Sequence, residues 1–236
     1  MDLTVIIGMI GGLISIATGD LMEGGNPAHV IHITSLIIVI PTAMFSAATA
    51  TESHALSAAF KELKMVFKKT PINFEERIDQ IVDYAIMVKK NGVLALEKDV
   101  QLIEDAFLKE ALGMVVDGSK EEQIEKFLEP IIEETEHYYH GASHYWLLAG
   151  ETCPVMGLIG AVLGLILALQ KLDNPAEMAA GIAGAFTATV TGIAGAYMFL
   201  GPWGNKMKGK AHLLIKEKQL ILEGVKGISR GDTPGE

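Results

Sequence analysis

Two short blocks of this sequence hold the residue types best suited to chemistry inside a membrane. The first runs from Gly150 to Ala161 and reads Gly-Glu-Thr-Cys-Pro-Val-Met-Gly-Leu-Ile-Gly-Ala. Its proline, Pro154, lies near the start of an apolar segment with glycines at helical spacing. The second, from Gly184 to Gly192, reads Gly-Ala-Phe-Thr-Ala-Thr-Val-Thr-Gly. Together they indicate a pore wall that packs against another helix, and they do not fit catalysis in solution.

The polar side chains of these apolar segments are hydroxyls. Thr187, Thr189 and Thr191 lie in the second block, and no Asp, Glu, Lys or Arg lies in the middle of a predicted span. An ionisable residue inside a span is the usual mark of an ion path. For Thr187 and Thr191 we favour a local hydrogen bond to a carbonyl in the preceding turn. If the chain conducts ions, the titrating carboxylate must come from another polypeptide.

Uncharged segments long enough to cross a bilayer must carry these blocks. Half of the 236 residues are hydrophobic, and about 20 apolar residues of helix cross a hydrocarbon core. The predicted fold is an all-α, polytopic membrane protein with four membrane helices and a helical cytoplasmic domain. The predicted spans are residues 3–19, 28–51, 146–170 and 178–203. The first could instead be a signal peptide, but it lacks a basic region and a convincing cleavage site.

These spans predict the domain boundaries and the orientation. Residues 1–51 hold spans one and two, 52–145 form the cytoplasmic domain, 146–205 hold spans three and four, and 206–236 form a cytoplasmic helix and tail. Eleven of the 19 Lys and Arg residues lie in the large loop and seven in the tail. Because such residues gather on the cytoplasmic side, we expect both termini and the large loop on that side.

The cytoplasmic domain has the apolar period of helices. Gly92 separates a first helix from a second, and Gly118 follows the end of the second. Ser119 and Glu122 have the spacing of a capping box for the next helix. We expect that helix to continue past Pro130 into span three.

Small residues at helical spacing let membrane helices approach closely. We predict that spans three and four contact each other through Gly157, Gly160 and Gly164 in span three and Gly192 in span four. Because small residues occur around more than one face of each span, we also expect a second face for another copy or a partner helix.

The remaining reactive side chains do not suggest an enzyme or a metal site. The single cysteine, Cys153, cannot form an internal disulfide and is interpreted as a buried apolar residue. There is no nucleophile–base set and no phosphate-binding loop, so we expect no cofactor and no nucleic-acid partner. Three histidines of one helix do not normally close a zinc shell, and we interpret them as a polar face; they are His137, His140 and His144.

Two further histidines, His29 and His32, begin span two on its outer side. Imidazoles at this position could gate proton entry, although an interfacial role is favoured.

Taken in order, these motifs resemble the MotA family, the A subunits of the bacterial flagellar stator. The resemblance covers essentially the whole chain: the four spans, the large loop, the blocks around Pro154 and Thr189, and Pro202 at the inner end of span four. The segment from Lys89 to Glu97, Lys-Lys-Asn-Gly-Val-Leu-Ala-Leu-Glu, is similar to the family's basic-x-x-Gly-x-x-x-Leu-Glu motif.

The resemblance implies a ring of five A subunits around two helices of a B subunit, each with one essential aspartate. Ion binding and release at these aspartates would rotate the ring. Pro154 matches the proline that faces the aspartate, and its missing N–H frees a carbonyl one turn earlier. The implied ion-path residues are Pro154, Ala161, Thr187 and Thr189.

The resemblance also predicts that the coupling ion is the proton. Sodium-driven relatives have one threonine seven residues after this proline and two consecutive threonines in span four. Here these positions are Ala161 and the pair Ala188-Thr189. Thr187 and Thr191 point roughly 160–200° away from Thr189. The remaining oxygens are too few to replace the shell of a dehydrated sodium ion.

Lys89 and Glu97 match the charged positions that engage the rotor in the family, where the partner is the switch-complex protein FliG. Lys90 is adjacent and could share the role. Without the resemblance, all three would be taken as solvated charges, since exposed ion pairs are weak. Lys keeps the charge of the Arg found in some members but not its bidentate fork.

Two alternatives stay open. The related ExbB and TolQ energisers of outer-membrane processes have three spans and an outward N-terminus, unlike the four spans predicted here. A passive channel or scaffold would need no partner with a membrane aspartate.

Overall fold

The computed structural model describes residues 2–26, 32–70 and 72–233, and no strand occurs within these ranges. The predicted all-α class is confirmed. The helices are α1 (Leu3–Met22), α2 (Ile33–Thr49), α3 (Ser53–Lys61), α4 (Leu63–Phe67), α5 (Phe74–Asn91), a 3₁₀ helix (Val93–Leu96), α6 (Glu97–Leu102), α7 (Ala106–Val116), α8 (Glu121–Leu169), α9 (Pro175–Ala194), a π-helical turn (Gly195–Leu200) and α10 (Gly201–Arg230).

Each predicted span overlaps described helical residues: span one overlaps α1, span two α2, span three the second half of α8, and span four α9, the π-helical turn and the start of α10. Within the described ranges, three stretches are long and apolar enough to cross a membrane: Leu3–Met22, Glu121–Leu169 and Pro175–Arg230. Helix α2 is apolar but has 17 residues, and the first residues of its predicted span, with His29, lie outside the described ranges. The chain is therefore an apolar, helical membrane protein.

The chain divides into two compact units at places that differ from the predicted boundaries. We name the two units by their predicted locations: the membrane unit is Met1–Lys69 with Tyr139–Gly209, and the cytoplasmic unit is Thr70–Tyr138 with Lys210–Glu236. Helix α3, expected in the cytoplasmic domain, belongs to the membrane unit. There Trp146 Nε1 donates to the Ala59 carbonyl at 3.1 Å. This hydrogen bond joins residues 87 positions apart. The charge pattern used to predict the boundaries carries no information about such a contact.

The cytoplasmic unit has one aliphatic core. It is formed by α5 to α7, the start of α8 and the end of α10, and its fully buried members include Leu96, Leu108, Leu112, Ile124, Leu128 and Val225. Burial of such side chains stabilises the unit by about 1.5–3 kcal/mol for each one.

Glycines end the helices of this unit where the sequence predicted them. Gly92 (φ 82°) and Gly118 (φ 75°) adopt the left-handed conformation that glycine tolerates best. The predicted capping box is wrong, because α8 begins at Glu121 and Gln123 Oε1 accepts from Lys120 N at 3.0 Å. The second predicted helix is broken, since Asp105 caps a new helix by accepting from the first backbone N–H groups of α7.

Candidate functional site

The contact between α8 and α9 brings two backbones together beside Pro154. A Cβ placed on Gly157 would lie 2.9 Å from the Ala188 carbonyl oxygen and 3.1 Å from the Gly192 Cα. A Cβ on Gly192 would lie 2.8 Å from the Cys153 carbonyl oxygen and 3.2 Å from the Pro154 Cα. No side chain fits at either position, so glycine is required for this approach.

The same line of contact continues along both helices. A Cβ on Gly160 would meet the Ala188 Cβ at 2.9 Å, and one on Gly164 would meet the Ala185 nitrogen at 2.9 Å. All of the predicted packing glycines therefore face the partner helix of the same chain. The expected second face of small residues is not present on α8. Its exposed positions carry large aliphatic side chains, including Val155, Leu158, Val162, Leu165 and Leu169, because a lipid-facing or partner-facing surface needs no close backbone approach.

Pro154 lies inside α8, half-buried at this contact. Because proline has no N–H, the Gly150 carbonyl lacks its usual donor four residues later. Thr152 lies between them and was not singled out from the sequence. Its hydroxyl is 3.0 Å from the carbonyl oxygen of Leu148 and 3.3 Å from that of Ala43 in α2. The titratable side chains of this turn are those of Glu151, which is exposed, and Cys153, which is buried.

The threonine hydroxyls of α9 bond back to their own helix. Thr187, Thr189 and Thr191 each donate to a carbonyl three or four residues earlier, at 2.9, 3.3 and 2.8 Å. Thr187 also lies 3.3 Å from Ser35 Oγ of α2, so it faces that helix. Thr189 is two residues away and therefore points about 200° from Thr187. Local hydrogen bonding was favoured for Thr187 and Thr191, and both bonds are present.

These positions define what the site can do. Ala161 is half-buried and contributes only a methyl group. No charged residue occurs between Thr152 and Gln170 or between Met178 and Asn205. The described groups can accept or relay a hydrogen bond, but they cannot hold a charge without a carboxylate from elsewhere.

A π-helical turn and an aromatic cluster mark the other end of α9. Pro202 lies two residues after the turn, which ends at Leu200, and because proline has no N–H, the Met198 carbonyl lacks its usual donor four residues later. The ring of Trp203 lies 5.4 Å from that of Trp146 and 6.0 Å from that of Phe67. Such rings are enriched at membrane–water interfaces.

The predicted rotor residues are on the surface of the cytoplasmic unit. Lys89 and Lys90 lie in the last turn of α5, and Glu97 begins α6 across the Gly92 break; all three are exposed. Between them Leu94 is 75% exposed, which the motif did not predict. Leu96, two residues later, fills the core, so the segment is fixed by one leucine and presents the other to solvent.

The histidines of α8 lie apart from this site, whereas His32 is linked to it through Ser35, whose hydroxyl lies 3.3 Å from Thr187 Oγ1. Among the described residues, no group of three or more His, Cys, Asp or Glu side chains could hold a metal ion. His140 and His144 stack with ring centroids 6.0 Å apart on an exposed face, and His137 is also exposed. His32 Nδ1 lies 3.3 Å from Ser35 Oγ.

The fold and the site define a helical membrane protein whose span contact contains hydroxyls, carbonyls and a proline but no charge. A family model described as the MotA/TolQ/ExbB proton channel family matches residues 99–219. The chain belongs to this family. It is 53% identical over 234 residues to Motility protein A of Helicobacter pylori, covering 99% of this chain and 91% of that protein.

Two solved structures share the fold. The C. jejuni MotAB structure has a TM-score of 0.96 and 52% identity, covering 100% of this chain and 92% of that one. The flagellar MotAB stator complex of Bacillus subtilis has a TM-score of 0.91 and 29% identity, covering 99% and 92%.

Proposed function

We propose that this protein is the A subunit of a flagellar motor stator, which conducts protons together with a B subunit and converts their flow into rotation of the flagellar rotor. The observation that carries the proposal is the uncharged contact of α8 and α9 around Pro154, which needs a carboxylate from a partner. The likeness to MotAB structures over nearly the whole chain supports the same conclusion. The similarity to Motility protein A favours a stator over an ExbB- or TolQ-type energiser.

Each membrane residue has a role toward the partner's aspartate. The Gly150 carbonyl freed by Pro154, or water bonded to it, accepts from the protonated carboxyl group. Thr189 supplies one hydroxyl, whereas Ala161 and Ala188 supply only methyl groups at the other two positions where sodium-driven relatives have threonine. This oxygen-poor path suits a proton, which needs only a carboxylate and water. Thr187, which faces α2, supports the helix instead of contacting the ion.

The assembly has five copies of this chain around two B helices, in an inner membrane with both termini in the cytoplasm. Because five subunits cannot be arranged symmetrically around two B helices, the two aspartates have different surroundings at any moment. One charge that crosses 100 mV releases ~2.3 kcal/mol, enough to bias a packing step between two arrangements. The B subunit is held by peptidoglycan, so the ring turns, and Lys89, Lys90 and Glu97 contact the rotor protein FliG.

The test is to express the chain with its B subunit in a stator-deleted bacterium and to measure swimming speed. We expect motility that collapses with a protonophore and does not depend on external sodium at constant pH. No motility, despite a complex in the membrane, would contradict the stator function. Motility that needs sodium and resists the protonophore would contradict the coupling ion alone.

A further inference from the structure

A cavity of about 350 Å³ lies within the membrane unit, between the start of α1 and the segment that joins α9 to α10. Thr4, Gly8 and Met9 line it on one side, and Met198, Trp203 and Lys206 on the other. Its volume is in the range of small-molecule sites. It is separate from the contact of α8 and α9 and has no part in the ion path described above.

One end of this cavity is polar. Lys206 Nζ lies 3.0 Å from Thr4 Oγ1 and 2.9 Å from an oxygen of Asp2. The indole nitrogen of Trp203 is buried, and it has no hydrogen-bond partner among the residues that the structure describes. A buried N–H without an acceptor is unfavourable, and such a group in a native structure often marks a missing ligand. A ligand that satisfies this N–H presents an acceptor, such as a phosphate or ester oxygen.

The other end is apolar and belongs to a membrane helix. Met9 and Met198 are flexible side chains that adapt to an irregular occupant, and a Cβ on Gly8 would meet nothing within 4 Å. The polar residues lie at the first turn of α1 and the apolar ones one to two turns further. At 1.5 Å per residue, this spans ~8 Å, the distance from the headgroup region into the first part of the acyl chains.

We infer that this cavity binds a glycerophospholipid of the bilayer leaflet at this end of α1. A phosphate or ester oxygen accepts from Trp203 Nε1 and Lys206, and an acyl chain enters between Met9 and Met198 past Gly8. A small polar ligand would accept a hydrogen bond from the Trp203 indole but would not fill the apolar end of the cavity. A helix from a second copy would cover the apolar end but would bring no acceptor of this kind.

The test uses the complex with its B subunit in membranes that contain phosphatidylethanolamine with a photoreactive group on one acyl chain. Light should attach the lipid to residues of the cavity wall. Gly8→Leu fills the space and should lower this labelling about tenfold, as expected for a loss of ~1.4 kcal/mol. Gly11→Leu is the matched control, because Gly11 also has open space around it but does not line the cavity, and its labelling should equal that of the unchanged protein.

A second variant tests the polar end. Trp203→Phe keeps a ring beside Trp146 and Phe67 but removes the N–H, and it should lower labelling by roughly three- to tenfold. Amounts of complex in the membrane are measured for all variants. Three results would overturn the inference: labelling that is unchanged in Gly8→Leu, competition by soluble glycerol phosphate, or a disulfide between two copies through Gly8→Cys in a complex that takes up no lipid label.

Discussion

Backbones pack against backbones at the contact of α8 and α9 in the membrane unit, whereas large aliphatic side chains pack against each other in the cytoplasmic unit. Gly157 and Gly192 allow α8 and α9 to approach so closely that a methyl group would not fit. In the cytoplasmic unit, Leu108 and Leu112 are fully buried in an aliphatic core. One chain thus uses two ways of holding helices together.

The solvent explains the difference. Lipid chains are as apolar as leucine, so burial of leucine between membrane helices gains little, and close packing of small residues must hold them. In water, burial of apolar area is the dominant favourable contribution. Charged residues follow the same division: Arg77 of the cytoplasmic unit pairs with Asp105 at 2.9 Å and Glu217 at 2.8 Å. In contrast, no charged residue occurs from Thr152 to Leu169 of α8 or from Met178 to Ala194 of α9.

The largest expected effect is Leu108→Ala in the cytoplasmic core. The cavity and the lost burial should lower the free energy of unfolding of that unit by about 2–5 kcal/mol. The control is Leu102→Ala, since Leu102 is 81% exposed. For both variants, the purified protein is unfolded in denaturant, and proteolysis of the cytoplasmic unit reports how much of that unit is unfolded. Equal effects would mean that burial does not hold this unit together.

The next effect is Gly192→Ala in the membrane unit, where one added methyl group meets the Cys153 carbonyl at 2.8 Å. Forced separation of the helices should cost about 1–3 kcal/mol and reduce the amount of assembled complex. Gly11→Ala adds the same methyl group in open space and should have no effect. Thermal stability in detergent compares the two, and an unchanged Gly192→Ala protein would contradict backbone packing.

Much of this fold could be predicted because it depends on local patterns. Uncharged segments predicted the membrane helices, and Gly92 and Gly118 predicted helix ends. The predicted capping box of Ser119 and Glu122 is wrong because Lys120 and Gln123, one residue further along the chain, have the same spacing and form the bond instead. The sequence analysis did not predict that Gly157, Gly160 and Gly164 of α8 all face α9. Composition and spacing alone cannot show which glycines of a helix face the same neighbouring helix.

The candidate site was predicted by resemblance more than by pattern. Pro154 and the threonines were found in the sequence, but Thr152 and Ser35 act through other helices. The Arg77–Glu217 pair joins residues 140 positions apart, and nothing local connects them. Such contacts depend on the tertiary fold, so the sequence carried no signal for them beyond residue type.

Pro154→Ala should separate ion transfer from packing in the membrane unit. Alanine returns an N–H to the Gly150 carbonyl, so the partner's carboxyl group loses an acceptor. One hydrogen bond between the neutral, protonated carboxyl group and this carbonyl contributes ~0.5–1.5 kcal/mol, and proton transfer should slow by roughly 2- to 13-fold. Pro41→Ala makes the same change in α2 and should leave swimming normal. If cells with Pro154→Ala swim normally at unchanged stator levels, the role given to this proline is wrong.

Reversal of the exposed charges at Lys89 and Glu97 should have a smaller effect, confined to the cytoplasmic unit. Exposed pairs contribute ~0.2–1 kcal/mol and are screened by salt. Lys89→Glu or Glu97→Lys should therefore lower torque in part without a change in membrane insertion. A complementary reversal on the rotor should restore part of the loss, and Lys126→Glu, an exposed position in α8, serves as the control. Full torque with both reversals together would mean that Lys89 and Glu97 are ordinary surface charges without a role at the rotor.

The smallest effect concerns Lys226, a buried cation of the cytoplasmic unit. Its ammonium lies 3.2 Å from both Glu125 and Glu223. Burial alone would lower the pKa of Lys226, but hydrogen bonds and attraction from these carboxylates raise it above its ordinary value of 10.5. Since the folded pKa is the higher one, the stabilisation is complete below pH 10.5 and is lost only as the pH rises through the folded pKa.

Lys226→Met keeps the aliphatic stem and removes the charge. We expect a loss of less than about 1 kcal/mol, because the carboxylate partners are open to water, and the difference from the unchanged protein should be constant from pH 7 to about pH 9. Lys126→Met, at an exposed position, should show no difference at any pH. Thermal unfolding at several pH values measures both. A difference that already shrinks between pH 7 and pH 9 would mean that Lys226 loses its proton early, so that burial outweighs the carboxylates and the cytoplasmic unit tolerates charge as poorly as the membrane unit does.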